Sequence, residues 1–353
     1  MPRGALTSLV IRRPDDLHVH LRQGAALTQT VPELAAVFGR VVAMPNLVPP
    51  IRTATDAETY ATEIHAVASA AGYPAFRALV PLYLTQETTA DDIVVAAARG
   101  VLAAKLYPLG ATTNSQSGVQ DLAAMDDVFG AMAAVGMILQ VHGEVVDPDV
   151  DIFDREAVFV ARVLGPLLAR FPTLRVVIEH ATTAAAIELA RAHSADRVGV
   201  TITPQHLLYD RSAIFAGGLR PHLYCLPVPK TRQDRQALID AAISRDPRFF
   251  LGSDSAPHPI AKKEAACCAA GVYSGPIVLP LYAEVFAEAG KLKHLEAFAS
   301  HFGADFYRLP RNQDYVELKL SPWLVPTTVS LGGQLAAPFR AGELVQWIVS
   351  ALS

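Results

Sequence analysis

Apolar residues in this chain gather into short runs, and longer alanine-rich stretches separate most of them. The runs lie at 17–21, 40–44, 76–82, 101–107, 137–142, 175–180, 198–203 and 249–252. Each has the length of a strand covered on both faces, because a parallel sheet sandwiched by helices reads as an almost unbroken apolar run. The stretches at 55–71, 91–98, 122–135, 155–170 and 184–192 are rich in alanine, the best helix former, and predict helices. Eight strands alternating with helices predict an α/β chain folded as a (β/α)8, TIM-like barrel. We expect a single barrel domain over 1–353 with a C-terminal extension from about 272, holding helices around 277–289 and 293–301 and a strand-like run at 315–320. The proline- and glycine-bearing stretch 205–235 is expected to be an elaborated connection.

Composition narrows the class. At 353 residues, 51% of them hydrophobic, the chain can bury a large core, and one barrel can use this length without a second domain. A formal net charge of −4 with no basic stripe argues against a nucleic-acid partner. No run of about 18 apolar residues marks a membrane span. The opening MPRG leads to only a few apolar residues before Arg12-Arg13, too short for the core of a signal peptide. Cys225, Cys267 and Cys268 form neither a disulfide framework nor a zinc-ribbon spacing, and free thiols fit a reducing cytoplasm.

Candidate chemistry sits at the ends of the runs. In an extended strand His18 and His20 leave the same face, with Leu17, Val19 and Leu21 on the other, which is a chelate geometry. Alone, the pair fits two hydrogen-bonded core histidines equally well. The run at 137–142 also ends in a histidine, His142, and the run at 175–180 in His180; the run at 249–252 is followed by Asp254. Strand C-terminal ends form the active face of a barrel. Lys105 lies inside an apolar run, where a lysine needs a partner or an escape to the edge. Four imidazoles and one carboxylate can be divided between two metal ions, but a bridging anion is missing. As an ammonium Lys105 would repel both, so it is outside the site, neutral, or converted to an anion. Arg22, two residues after His20, starts from the same strand face and offers a planar fork for a carboxylate, although a barrel-mouth ion pair fits it too. Asn46 could equally be a turn residue, and Thr112 and Thr113 ordinary loop hydroxyls. Glu179, next to His180 on a strand, is expected to point away from it and to be structural. His206 and His222 are left without a catalytic assignment.

Eight local strings carry a resemblance: DLHVHLR at 16–22, MPNL at 44–47, AKLYP at 104–108, ATTN at 111–114, EHATT at 179–183, TITPQH at 201–206, RPHLYCLP at 220–227 and LGSDSAPH at 251–258. In this order they resemble the amidohydrolase superfamily and, more closely, the class II (bacterial-type) dihydroorotases. The resemblance implies two Zn2+ per subunit, with His18, His20 and Asp254 on the first, His142 and His180 on the second, and carbamylated Lys105 bridging them. It implies Asp254 as the catalytic acid and base, and Arg22, Asn46 and His258 as the grip on a substrate carboxylate. Backbone contacts to a pyrimidine ring map onto Leu226, Ala270 and Gly271. Residues 109–117 would be a lid whose Thr112 and Thr113 close on the substrate. The implied activity is reversible hydrolysis of dihydroorotate to N-carbamoyl-L-aspartate, in de novo pyrimidine (UMP) biosynthesis, by a cytoplasmic homodimer. Two zinc ions less one charge each for the carbamate, Asp254 and a hydroxide leave +1, which favours an anionic substrate. The lid departs from the family at Leu109-Gly110-Ala111 and at Ser115-Gln116-Ser117, where an asparagine and a histidine are expected. The alternatives are another cyclic amidohydrolase (a hydantoinase or dihydropyrimidinase), which shares the ligands without needing the Arg22 and Asn46 grip, or a non-catalytic barrel scaffold.

Overall fold

The computed structural model describes residues 6–351; the opening MPRG lies outside them. Strand β1 (Ser8–Arg12) comes first. The barrel follows as β2 (Asp15–Val19), β3 (Arg40–Ala43), β4 (Arg77–Leu79), β5 (Leu82–Tyr83), β6 (Ala103–Leu106), β7 (Ile138–Val141), β8 (Val176–Ile178), β9 (Val198–Ile202) and β10 (Phe249–Leu251). All eight expected runs are staves of the barrel, the third being split. Val80-Pro81 interrupts it, since proline brings no N–H to a ladder; its first half, β4, pairs with β3 and its second half, β5, with β6. From β5 to β10 the strands pair in parallel and in sequence order. The ring closes without a regular ladder, through Asp254 N–H to His18 O (2.8 Å) and His20 N–H to Ser255 O (2.9 Å).

Alternation along the staves sorts the core into two sets. Val41 and Ala43, Leu139 and Val141, and Val176 and Ile178 belong to the large cluster shared with the helices. Val42, Ala103, Ile138, Val177 and Phe250 belong to a second cluster inside the barrel, with Phe306 and Tyr307. Two residues beyond Ala103, Ile138 and Val177 on that inward face come Lys105, Gln140 and Glu179. The β2 pattern departs from the expectation: Leu17 packs in the interior cluster while Val19 and Leu21 face the helices. The cause is a register shift against β3 between Asp16 and Val19, which rotates one side chain out of alternation.

Capping boxes start three of the helices: Thr53 with Asp56 before Ala54–Ala70, Thr89 with Asp92 before Ala90–Ala98, and Thr231 with Asp234 before Arg232–Ile243. The last begins inside the stretch expected to be a connection, and the short helix Pro204–Leu208 runs into its start. The run expected at 315–320 extends to β11 (Tyr315–Leu324), followed by β12 (Val329–Leu331), β13 (Gln334–Ala336) and β14 (Leu344–Ala351). Strand β11 lies antiparallel between β1 and β14, so the first and last described strands share one small sheet. No helix among the described residues is long and apolar enough to cross a membrane.

Candidate metal centre

His18, His20 and Asp254 each offer one ligand atom within 4.8 Å of the others. Asp254 Oδ1 lies 3.1 Å from His20 Nε2 and 3.4 Å from His18 Nε2. The His180 ring is 4.9 Å from both the His18 and the His142 rings, so the four imidazoles form one chain across the barrel mouth. Three of the four are held from behind: His18 Nδ1 by Glu179 (2.7 Å), His20 Nδ1 by the Asn46 side-chain oxygen (2.8 Å), and His142 Nε2 by Glu144 (2.9 Å). Such outer partners fix the tautomer and leave the opposite nitrogen for a metal.

Lys105 is fully buried, and its Nζ has no hydrogen-bond partner; the same is true of His18 Nε2 and His180 Nδ1. Several unpaired buried polar atoms meeting at one point are costly unless a ligand completes them. Burial lowers the Lys105 pKa to about 8, which makes its neutral amine accessible, and lowers His20 to about 4, which keeps that imidazole neutral at pH 7. Burial, reinforced by Lys105 and His142, holds His180 well below its usual value. For Asp254 burial acts upward, but its close approach to His18 and His20 outweighs burial and holds the carboxyl well below its usual pKa. At His18 burial acts downward, but the Glu179 and Asp254 carboxylates together outweigh it and raise the pKa, so a bound metal would displace its proton. With the neutral imidazoles of His20 and His180, an ionised carboxylate and a neutral-capable amine, these residues fit a divalent metal.

Beside the cluster is a small open-mouthed cavity. Arg22, Asn46, Thr112, Thr113, Leu226, Ala270 and Gly271 line it together with His20, His142, His180 and Asp254. Arg22 reaches it differently from the strand-period expectation. Strand β2 ends at Val19, and Arg22 takes a left-handed conformation (φ 67°) with Nε donating to Pro257 O at 2.9 Å. His258 Nε2 lies 2.9 Å from Arg22 Nη2 and 3.0 Å from Ala270 O. The segment 109–117 is drawn over the mouth by Thr113 Oγ1 to Ala270 O (3.1 Å), Asn46 Nδ2 to Thr113 O (3.0 Å) and Asn114 Nδ2 to Asn46 O (3.0 Å). Buried Ser115, at one of the departures from the family, staples it: its hydroxyl bonds Thr112 N and O, and its carbonyl receives Gly110 N–H.

Glu179 corrects the reading of its neighbourhood. Val177 and Glu179 share the inward face, so strict alternation would turn His180 outward; a left-handed His180 (φ 39°) brings both side chains into the site. Of seven non-glycine residues with positive φ among those described, four are here, Arg22, Asn114, His180 and Asp254, as expected where function holds strained backbone in place. Buried Glu156, which accepts from the backbone N–H and hydroxyl of both Thr182 and Thr183, ties down the turn after His180. Sequence reasoning also missed Glu144, for which the only signal was its place two residues after His142. Replacing Glu179 by Gln removes the charge behind His18, and metal affinity should fall by about 10–100-fold in chelator competition.

A parallel barrel that sets metal-binding groups at its strand ends beside a small open-mouthed cavity has the layout of a metal-dependent barrel enzyme. The family model described as "Amidohydrolase family" matches residues 10–345. A dihydroorotase from Marinobacter nauticus is 54% identical over 96% of this chain and 98% of its own length, and one from Teredinibacter turnerae is 51% identical over 97% and 98%. Among solved structures, dihydroorotase from Saccharomyces cerevisiae in complex with 5-fluoroorotic acid superposes with a TM-score of 0.90 at 33% identity, covering 98% of this chain and 99% of that one. L-hydantoinase from Arthrobacter aurescens, at 16% identity and a TM-score of 0.76 over 96% of this chain and 82% of its own, shares the fold. The chain belongs to the amidohydrolase family and, within it, to the dihydroorotases. It is a metal-dependent cyclic amide hydrolase acting on a small molecule.

Proposed function

We propose that the chain interconverts dihydroorotate and N-carbamoyl-L-aspartate, in the cytoplasm, as a step of de novo pyrimidine synthesis. The observation that carries this is the Arg22 guanidinium in the wall of the metal cluster's cavity, backed by His258 at 2.9 Å, a cationic grip that a neutral hydantoin would not use. Two zinc ions would be held by His18, His20 and Asp254 and by His142 and His180, with carbamylated Lys105 between them. When bound, the ions lower the pKa of a water and polarise the ring amide carbonyl.

The chain's own groups do the rest. Arg22 and the second N–H of Asn46 take the substrate carboxylate, and the cavity-wall backbone at Leu226, Ala270 and Gly271 faces the ring. Asp254 accepts a proton from the attacking water and passes it to the departing ring nitrogen. Its low pKa keeps it ionised beforehand and makes its protonated form a strong acid toward that nitrogen. Thr112 and Thr113 exclude water once the 109–117 segment is shut. We read residues 1–353 as one catalytic domain with an extension from about 272, working as a homodimer by its likeness to the family.

The test is turnover of both compounds by metal-replete protein beside a panel of neutral hydantoins. Hydantoin turnover without dihydroorotate turnover would replace this reading with the hydantoinase one. Changing Thr112 to Ala and Thr113 to Val together should lower kcat by about 10²-fold with metal content intact. Full kcat/KM in that double variant would make the segment an ordinary surface loop.

A further inference from the structure

Behind the cavity wall lies a lysine that this chemistry leaves unused. Lys263 is 3% exposed, and its ammonium donates to three backbone carbonyls, Tyr224 O, Ala269 O and Gly271 O, each at 2.8 Å. An ammonium has three N–H donors, so all are used. No carboxylate is among these partners. A buried cation held by neutral groups alone is expensive, and burial lowers its pKa to about 8. The neighbouring Lys262 is exposed, so charge alone could have been kept at no such cost.

The three carbonyls belong to two separate segments of the wall. One leads through Tyr224 to Leu226, and the other is 269–271, which holds Ala270 and Gly271. Gly271 N–H also reaches Tyr224 O at 3.0 Å. There is little slack: Gly271 has φ 148°, and a Cβ there would meet Ala256 at 2.8 Å. Ala270 O, between two of the clamped carbonyls, lies 3.1 Å from Thr113 Oγ1 and 3.0 Å from His258 Nε2, so the wall's position reaches the lid and the carboxylate grip.

We infer that Lys263 is a positioning residue, whose ammonium clamps the 224–226 and 269–271 segments into one wall that presents Leu226, Ala270 and Gly271 to the substrate. The inference rests on the reading of this cavity as the dihydroorotate site. It acts through backbone, on binding more than on the chemical step.

Lys263→Met keeps the stem and removes the donors, leaving three carbonyls without them. KM for dihydroorotate should rise about 10–100-fold, with kcat changed less than about 3-fold and metal content unchanged. Lys262→Met should match the wild type. A folded, metal-loaded Lys263→Met enzyme with KM within about 2-fold of wild type overturns the clamp, as does a loss confined to kcat. If Lys263→Met does not fold, the wild type decides. The slowly exchanging 1H–15N signal of the Lys263 ammonium should move on adding an equilibrated mixture of dihydroorotate and carbamoyl aspartate, and a signal that stays put defeats the inference. Wild-type turnover in the same assay separates the two levels: its absence defeats the functional reading and the clamp with it, whereas normal turnover beside an unaffected variant defeats the clamp alone.

Discussion

Lys105→Ala protein should lose metal and activity together, with turnover falling by roughly four orders of magnitude, the scale of removing one member of a set that acts as a unit. Lys105 Nζ is buried and unpartnered among His18, His180 and Asp254, and burial has already brought its amine toward neutrality. Without an anion at this point, four imidazoles and one carboxylate would leave the two proposed dications poorly neutralised. Elemental analysis and a turnover assay on the same preparation check this. Active Lys105→Ala protein at full occupancy would remove the bridge from the mechanism. Short carboxylic acids should restore part of both metal and rate, because they return an anion to the gap the side chain leaves.

Arg22→Met is expected to reduce kcat/KM for dihydroorotate by about 2–5 kcal/mol, as for truncating one member of a desolvated charge pair. Metal content should not change, since the hydrogen bonds of Arg22 go to Pro257 O and His258 and not to a proposed metal ligand. Burial lowers its pKa to about 10, which leaves it charged at neutral pH, so the loss should be constant from pH 6 to 8. Steady-state kinetics beside elemental analysis decide the point. Unchanged kinetics would take the carboxylate grip away from Arg22 and raise the hydantoinase reading.

The staves and the gathering of His18, His20, Lys105, His142, His180 and Asp254 were legible because they follow from apolar runs and from what stands at their ends. The facing of individual side chains was not. An apolar run buried on both sides does not show which face is inward, and three departures from strict alternation, the register shift near Leu17 and the left-handed turns at Arg22 and His180, changed the outcome locally. Glu179 was misread for that reason. Strand β1 escaped notice because its partner, β11, begins some 300 residues later, and no local pattern encodes so distant a pairing. Lys263 was equally silent, since its partners are carbonyls, which every residue carries.

The closure of the ring has a consequence for how the molecule holds itself together. The segment of the first stave supplies His18 and His20 and that of the last supplies Asp254, yet where these two staves meet there is no regular ladder: two backbone bonds at Asp254 and His20, one isolated bridge between Val19 and Ser255, and the Asp16 carboxylate accepting from the N–H and hydroxyl of Ser253. An ion gripped by these three side chains would fasten one end of a chain segment more than 230 residues long to the other, opposing the entropy of opening so large a loop. Affinity for metal and resistance to unfolding are then coupled, each drawing on the other by mass action. The same ion that prepares water for attack would serve the architecture as a clasp, and stripping it would loosen the barrel first along this seam.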